Sequence, residues 1–150
     1  MGKLVFYDYG DGRRDFDNGE DPVVGHHHPN GGGWVADSAT VDASAYVGPD
    51  AMVLGTAWVS DNAKLLGTAL VYGNAQVSGE AVISDNAQVS GDAWVYGNAQ
   101  VSGDAWVYGV SQVYGDARVS GEAWVSRARV FGTARVSGEA YLGNDEEVSG

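Results

Sequence analysis

The sequence predicts an all-β chain wound as a single-stranded parallel β-helix, and three observations predict it. An aliphatic residue returns every six positions, from Val35, Val41 and Val47 through to Val119 and Val125. Four residues after each of these up to Val119 stands a small one, as at Ala39, Ala45, Ala51 and onward to Ser111, Ala117 and Ala123. Two residues after the aliphatic comes, most often, Gly or Asp, as at Gly55, Asp61, Gly67 and Asp85. A fixed period over many repeats is the mark of a solenoid. It divides the chain into an arm, residues 1–33, and a rod, residues 34–150.

In the arm, residues 4–9 read as one strand. Residues 10–21 read as a polar, turn-rich loop with Arg13 and Arg14 among acids. Residues 25–33 form a joint rich in Gly and His.

The rod follows from side-chain alternation. In the unit Asp92-Ala93-Trp94-Val95-Tyr96-Gly97, Ala93 and Val95 point to one side of a short strand, Trp94 and Tyr96 to the other. The pair of constant size faces the interior, where close packing demands constancy. Gly or Asn at the next positions then turns the chain sharply, since these residues tolerate φ > 0. Strands this short bury their inner face only by stacking coil on coil. Three hexapeptides, about 18 residues, make one triangular coil, and coils stack about 4.8 Å apart. A little over six coils give a rod roughly 30 Å long. One residue is missing near Ser126-Arg127, after which the register resumes at Val130, Val136, Leu142 and Val148. At the far end Glu146 stands where Ala is expected, beside Asp145 and Glu147, so the inner row fails and charge blunts the edge. At the near end an open sheet edge is expected, covered by residues 4–9 or by the joint.

Other architectures fit less well. An antiparallel sandwich needs hairpin loops of varied length, and none interrupts this period. Apolar residues six apart make no helical stripe.

Composition narrows the function. The formal charge is −12, which disfavours nucleic acid and anionic membranes as partners. No window holds the ~18 apolar residues of a membrane span. The first residues, with one Lys and an apolar run broken by Asp8, do not read as a secretory signal. No cysteine is present, so thiolate chemistry is excluded. Gly is frequent at 23 residues and Pro rare at 3, which suits regular tight turns rather than a linker.

The aliphatic-x-Gly-x-Ala-x unit resembles the hexapeptide-repeat superfamily, over roughly residues 34–149. That resemblance implies a left-handed parallel β-helix; the hand breaks the usual crossover rule and comes from the resemblance alone. More narrowly, the run from Val95 to Ala105 and the lead-in Pro29-Asn30-Gly31-Gly32-Gly33-Trp34-Val35 are similar to repeats of phage and prophage-borne proteins. This implies a bacteriophage structural protein, such as a capsid decoration or a tail-associated rod. The enzymes of the superfamily, acyltransferases and γ-class carbonic anhydrases, carry histidines on the coils or on a long inserted loop. Here His26, His27 and His28 all precede the first coil, and no long loop breaks the rod. The reading is therefore not an enzyme, with no cofactor; a degenerate acyltransferase or carbonic anhydrase is the weakest alternative.

The remaining chemistry-bearing residues are read blandly. His26, His27 and His28 are weak metal candidates, since imidazole suits Zn, Cu and Ni, but read first as a polar joint or a scar of engineering. Asp104, Glu122 and Glu139, one per coil, could hold calcium and read first as a solvated edge. Arg118, Arg127, Arg129 and Arg135 read as pairing with nearby acids. Thr40, Thr56, Thr68 and Thr133 are too few for an ice-binding array, and the last three lie at turn positions.

Every third strand shares a face. The first face turns outward Trp34, Met52, Leu54, Leu70 and Tyr72, then Trp106, Tyr108, Trp124 and Tyr141. Such apolar rows mark interfaces, with Trp and Tyr as anchors. Relatives with this fold commonly form trimers. The expectation is a homotrimer packed through the first face, with help from the second, and with the arm fixing the rod to another structural protein of a virion. The second face shows Trp58, Trp94, Tyr96 and Tyr114, which suit the alternative of a carbohydrate- or surface-binding module. The third face, with Lys64, Gln100, Arg118 and Arg135, is the most polar.

Overall fold

Each hexapeptide of the rod forms a strand of two or three residues and a turn, and the strands stack into three parallel sheets. The computed structural model describes the strands Tyr7–Asp8 and Arg13–Asp15 and residues 23–150. The first sheet runs Trp34–Ala36, Met52–Val53, Leu70–Val71, Gln88–Val89, Trp106–Tyr108, Trp124–Ser126, Tyr141–Leu142. The second runs from Thr40–Val41 through Trp58–Val59, Gln76–Val77 and Trp94–Val95 to Glu147–Ser149, and the third from Tyr46–Val47 to Arg135–Val136. These are the three faces expected from the period. Partners in register lie 18 residues apart, as in Leu70↔Gln88 and Gln76↔Trp94. The sheets hold ten, seven and six strands, three of the ten belonging to the arm, so the rod has between six and seven coils.

The core is two inward rows. From Ala45 to Val130 the alternating Ala and aliphatic positions are closed to solvent almost without exception. Most turns of the rod are held twice. Ala69 N–H donates back to Leu66 O at 3.2 Å, while Thr68 N–H donates forward to Asp85 O on the next coil at 2.8 Å. From Gly55 onward the second turn residue has positive φ, as at Gly67 (φ 60), Asp61 (φ 58) and Asp85 (φ 58), which explains the Gly-or-Asp rule at that position.

The missing residue is absorbed at one corner. Arg127 takes the left-handed conformation there (φ 52), and Gln112 pairs with Arg129, one residue closer than the usual spacing. The preceding coil adapts through Ser111, which stands where the inner row otherwise has Ala. Its hydroxyl lies 2.6 Å from Tyr108 O and 3.2 Å from Val125 O, a polar link where the shortened coil disrupts the regular ladder.

The joint covers the near end, as expected, but as a strand. Val23–His27 pairs antiparallel with Trp34–Ala36, and Arg13–Asp15 and Tyr7–Asp8 continue the sheet outward. Arg13 and Arg14 thus lie in a strand rather than in the loop expected over residues 10–21, because the sheet edge recruits them. The rest of the expected strand at residues 4–9 lies outside the described residues. Residues 30–33 close the third face, with Val47 N–H donating to Asn30 O and Gly33 N–H to Val47 O, both at 3.0 Å. At the far end Glu146 is exposed, as its charge requires.

Candidate functional site

The first face does not present the continuous apolar row that its sequence parity suggests. Trp34 points away from the helix interior but is only 2 % exposed. The arm strand lies over it: His27 meets it edge to face at 5.7 Å, and the backbone at Gly25 runs so close that a Cβ there would sit 2.7 Å from the indole. Leu70 is 5 % exposed, flush in its sheet between Met52 and Gln88. Trp34 and Leu70 therefore offer almost no surface to a partner, correcting their place in the expected interface. Met52, Leu54 and Tyr72 are half-buried.

What remains is a compact aromatic patch toward the far end. Trp106 packs on Tyr108 at 5.2 Å and edge to face on Trp124 at 5.3 Å; Tyr108 meets Trp124 at 6.2 Å. Trp124 and Tyr141 are the exposed members. Burial pushes the Tyr108 phenol above its usual range; a hydrogen bond with Ser126 opposes this, and Tyr141 adds to it.

The second face carries a different construction. Tyr96 stacks flat on Tyr114 (4.9 Å, 2°), and Tyr114 on Phe131 (5.3 Å, 7°), an aromatic column one residue per coil. Burial raises the Tyr96 phenol, and the neighbouring Tyr114 phenol adds to that. Below the column the outward row changes to Ser78 and Ser60. Large side chains give way to small ones, and a cleft of about 570 Å³ opens, lined by Trp58, Trp94, Tyr96, Gln76 and the acids Asp42 and Asp61. Trp58 is 52 % and Trp94 44 % exposed. The structure thus brings together three of the four residues expected on a ligand face, with Tyr114 supporting the third. Sequence reasoning missed the cleft itself; the drop from Tyr to Ser along one outward row was the signal that could have found it.

The three histidines do not converge. His26 Nδ1 faces Asp37 Oδ1 at 2.9 Å, His27 Nδ1 faces Gly32 O at 2.8 Å, and buried His28 places Nε2 2.8 Å from Ala45 O. Each imidazole pins a different stretch of the joint. Among the described residues no three His, Asp or Glu groups are placed to share a metal ion. Asp104 instead accepts a hydrogen bond from Asn86 Nδ2 at 3.0 Å, while Glu122 and Glu139 flank a shallow cleft beside Trp124 and Tyr141. Arg127 pairs with Asp145 at 3.6 Å and Arg129 with Glu147 at 3.4 Å. Arg118 and Arg135 are in-register neighbours on the third face. No helix among the described residues is long and apolar enough to cross a membrane.

The family model described as YdcK Beta solenoid repeat matches residues 75–91, 87–103 and 111–127. No curated protein and no solved structure matches the chain. The matched segments are each about one coil long, so the unit of likeness is the unit of the fold. The chain is a repeat β-helix, similar over those coils to the YdcK solenoid repeat.

Proposed function

We propose that this chain is a non-enzymatic structural rod that assembles as a homotrimer through the far half of its first face. The observation that carries the reading is the patch of Trp106, Tyr108 and Trp124, three aromatic residues packed on one another, with Tyr141 the register neighbour of Trp124 on the next coil and Trp124 and Tyr141 open to solvent. Grouped aromatics of this kind supply the anchors of protein association, and they lie on rigid sheet rather than loop, so little ordering entropy opposes docking. The finer reading is a phage-type particle component, held to a neighbouring structural protein by residues 1–33; its support is the sequence resemblance stated above. The absence of histidine from the coils, and the separate backbone or carboxylate partners of His26, His27 and His28, favour structure over catalysis.

Light scattering after size exclusion tests this. The wild type is expected at three times the chain mass. Trp106→Ser with Tyr108→Ser is expected to yield monomers with an unchanged far-ultraviolet spectrum. A wild-type monomer at micromolar concentration overturns the reading.

A further inference from the structure

We propose that the cleft on the second face, between Trp58 and Trp94, binds a neutral oligosaccharide. This goes beyond the assembly reading and uses a different face.

Spacing is the first argument. Trp58 and Trp94 each pair in register with Gln76, so they stand two coils apart on one straight row, about 10 Å. That is far enough for two rings of one extended sugar chain to lie separately, one on each indole. The long axis of such a chain would follow the rod.

The second argument is preorganisation. Exposed tryptophans on a surface usually move; Trp94 is held from two sides. Its Nε1–H donates to Gln76 Oε1, and its ring meets Tyr96 edge to face at 5.9 Å and 75°. Tyr96 in turn is locked by the column of Tyr114 and Phe131. A platform fixed before binding loses little entropy on binding. The column also closes the upper end of the cleft, which sets the direction in which a ligand can extend.

The third argument is the polar complement. Ser60 and Ser78 bring hydroxyls to the lining, and Gln76 an amide. Asp42 Oδ2 accepts Asp61 N–H at 3.1 Å, and Asp61 Oδ2 accepts Gly79 N–H at 3.1 Å. Each carboxylate is thereby fixed by one oxygen, which leaves acceptor capacity on the other. Fixed acceptors and donors beside flat apolar surfaces match a sugar, whose ring has apolar faces and a hydroxyl rim. The volume of about 570 Å³ falls among ordinary ligand sites. Two carboxylates and a net charge of −12 reject anionic ligands, so the sugar is neutral. A cationic or proline-rich peptide also favours indoles and acids. The small polar lining between the indoles favours a hydroxylated ligand over both.

The experiment is calorimetric titration of the full chain with cellohexaose, the fully N-acetylated chitin hexamer and maltohexaose, beside a lysine-rich and a polyproline peptide. Saturable binding of a hexasaccharide is expected, weakened at least ~10-fold by Trp58→Ala and by Trp94→Ala, and restored in part by Trp58→Tyr. Trp124→Ala on the first face is expected to leave it unchanged, as is Trp106→Ser with Tyr108→Ser, so failure here is separable from failure of the assembly reading. Thermal melts confirm that each variant folds. No saturable saccharide binding, saccharide binding indifferent to Trp58→Ala, or saturation by a peptide alone overturns the proposal.

Discussion

A left-handed turn position is filled by Gly in most coils and by Asp in a few, and the two solve the same problem differently. Gly adopts positive φ without strain. Asp pays some strain there but returns a carboxylate to the next coil: Asp85 Oδ2 accepts Gly103 N–H at 3.0 Å, as Asp61 does for Gly79. Replacing Asp85 with Ala keeps the left-handed backbone and removes the acceptor. It is expected to cost about 1 kcal/mol, at the low end because the site is exposed. Asp85→Gly loses the acceptor and the strain together and is expected within ~0.5 kcal/mol of wild type. Urea unfolding midpoints check this. Equal midpoints for the Ala and Gly variants would mean that strain is irrelevant here.

At the scale of the element, the arm strand decides how the near end behaves. Val23–His27 must approach Trp34–Ala36 closely, and at Gly25 a Cβ would come within 2.4 Å of Val35 O. No flexible side chain can yield there, because the obstacle is backbone. Gly25→Ala is therefore expected to lift the strand and expose Trp34, with a red-shifted tryptophan emission and faster hydrogen exchange at Val35 and Ala36. An unchanged emission and unchanged exchange would sink this account of the cap. The contrast with the rod shows what was legible. Period and turn positions could be read because each depends on neighbours within one hexapeptide, and the faces because the same unit returns three times per coil. The burial of Trp34 could not, since outward parity is local while the covering strand Val-Val-Gly-His-His carries no alternating apolar pattern. The Trp58–Trp94 cleft lay between these cases. Its platforms were visible as exposed aromatics, but its depth depends on Ser60 and Ser78 stacking in register beneath Tyr96. The adjustment at Ser111 was visible only as an exception, because its reason sits one coil away at Arg127.

For the whole molecule, charge and surface pull in opposite directions. Each chain carries −12, so three copies brought side by side repel one another over distances comparable to the Debye length, about 10 Å at 0.1 M salt. The four aromatic side chains of the patch are uncharged, with the acids Glu122 and Glu139 beside Trp124 and Tyr141, so the short-range attraction of the proposed assembly is apolar and indifferent to screening. Of the exposed arginines near this end, Arg127 is paired with Asp145 and Arg129 with Glu147, and these two are poorly placed to bridge copies. Association is then expected to tighten as salt rises from about 10 mM to about 150 mM, because screening removes repulsion and leaves the aromatic contact intact. Sedimentation equilibrium across that range measures it directly. Weakening with salt would mean instead that copies meet through ion pairs, with the third-face neighbours Arg118 and Arg135 opposite an acidic edge. The rod would then join through its polar face, and its aromatic rows would be free for other ligands.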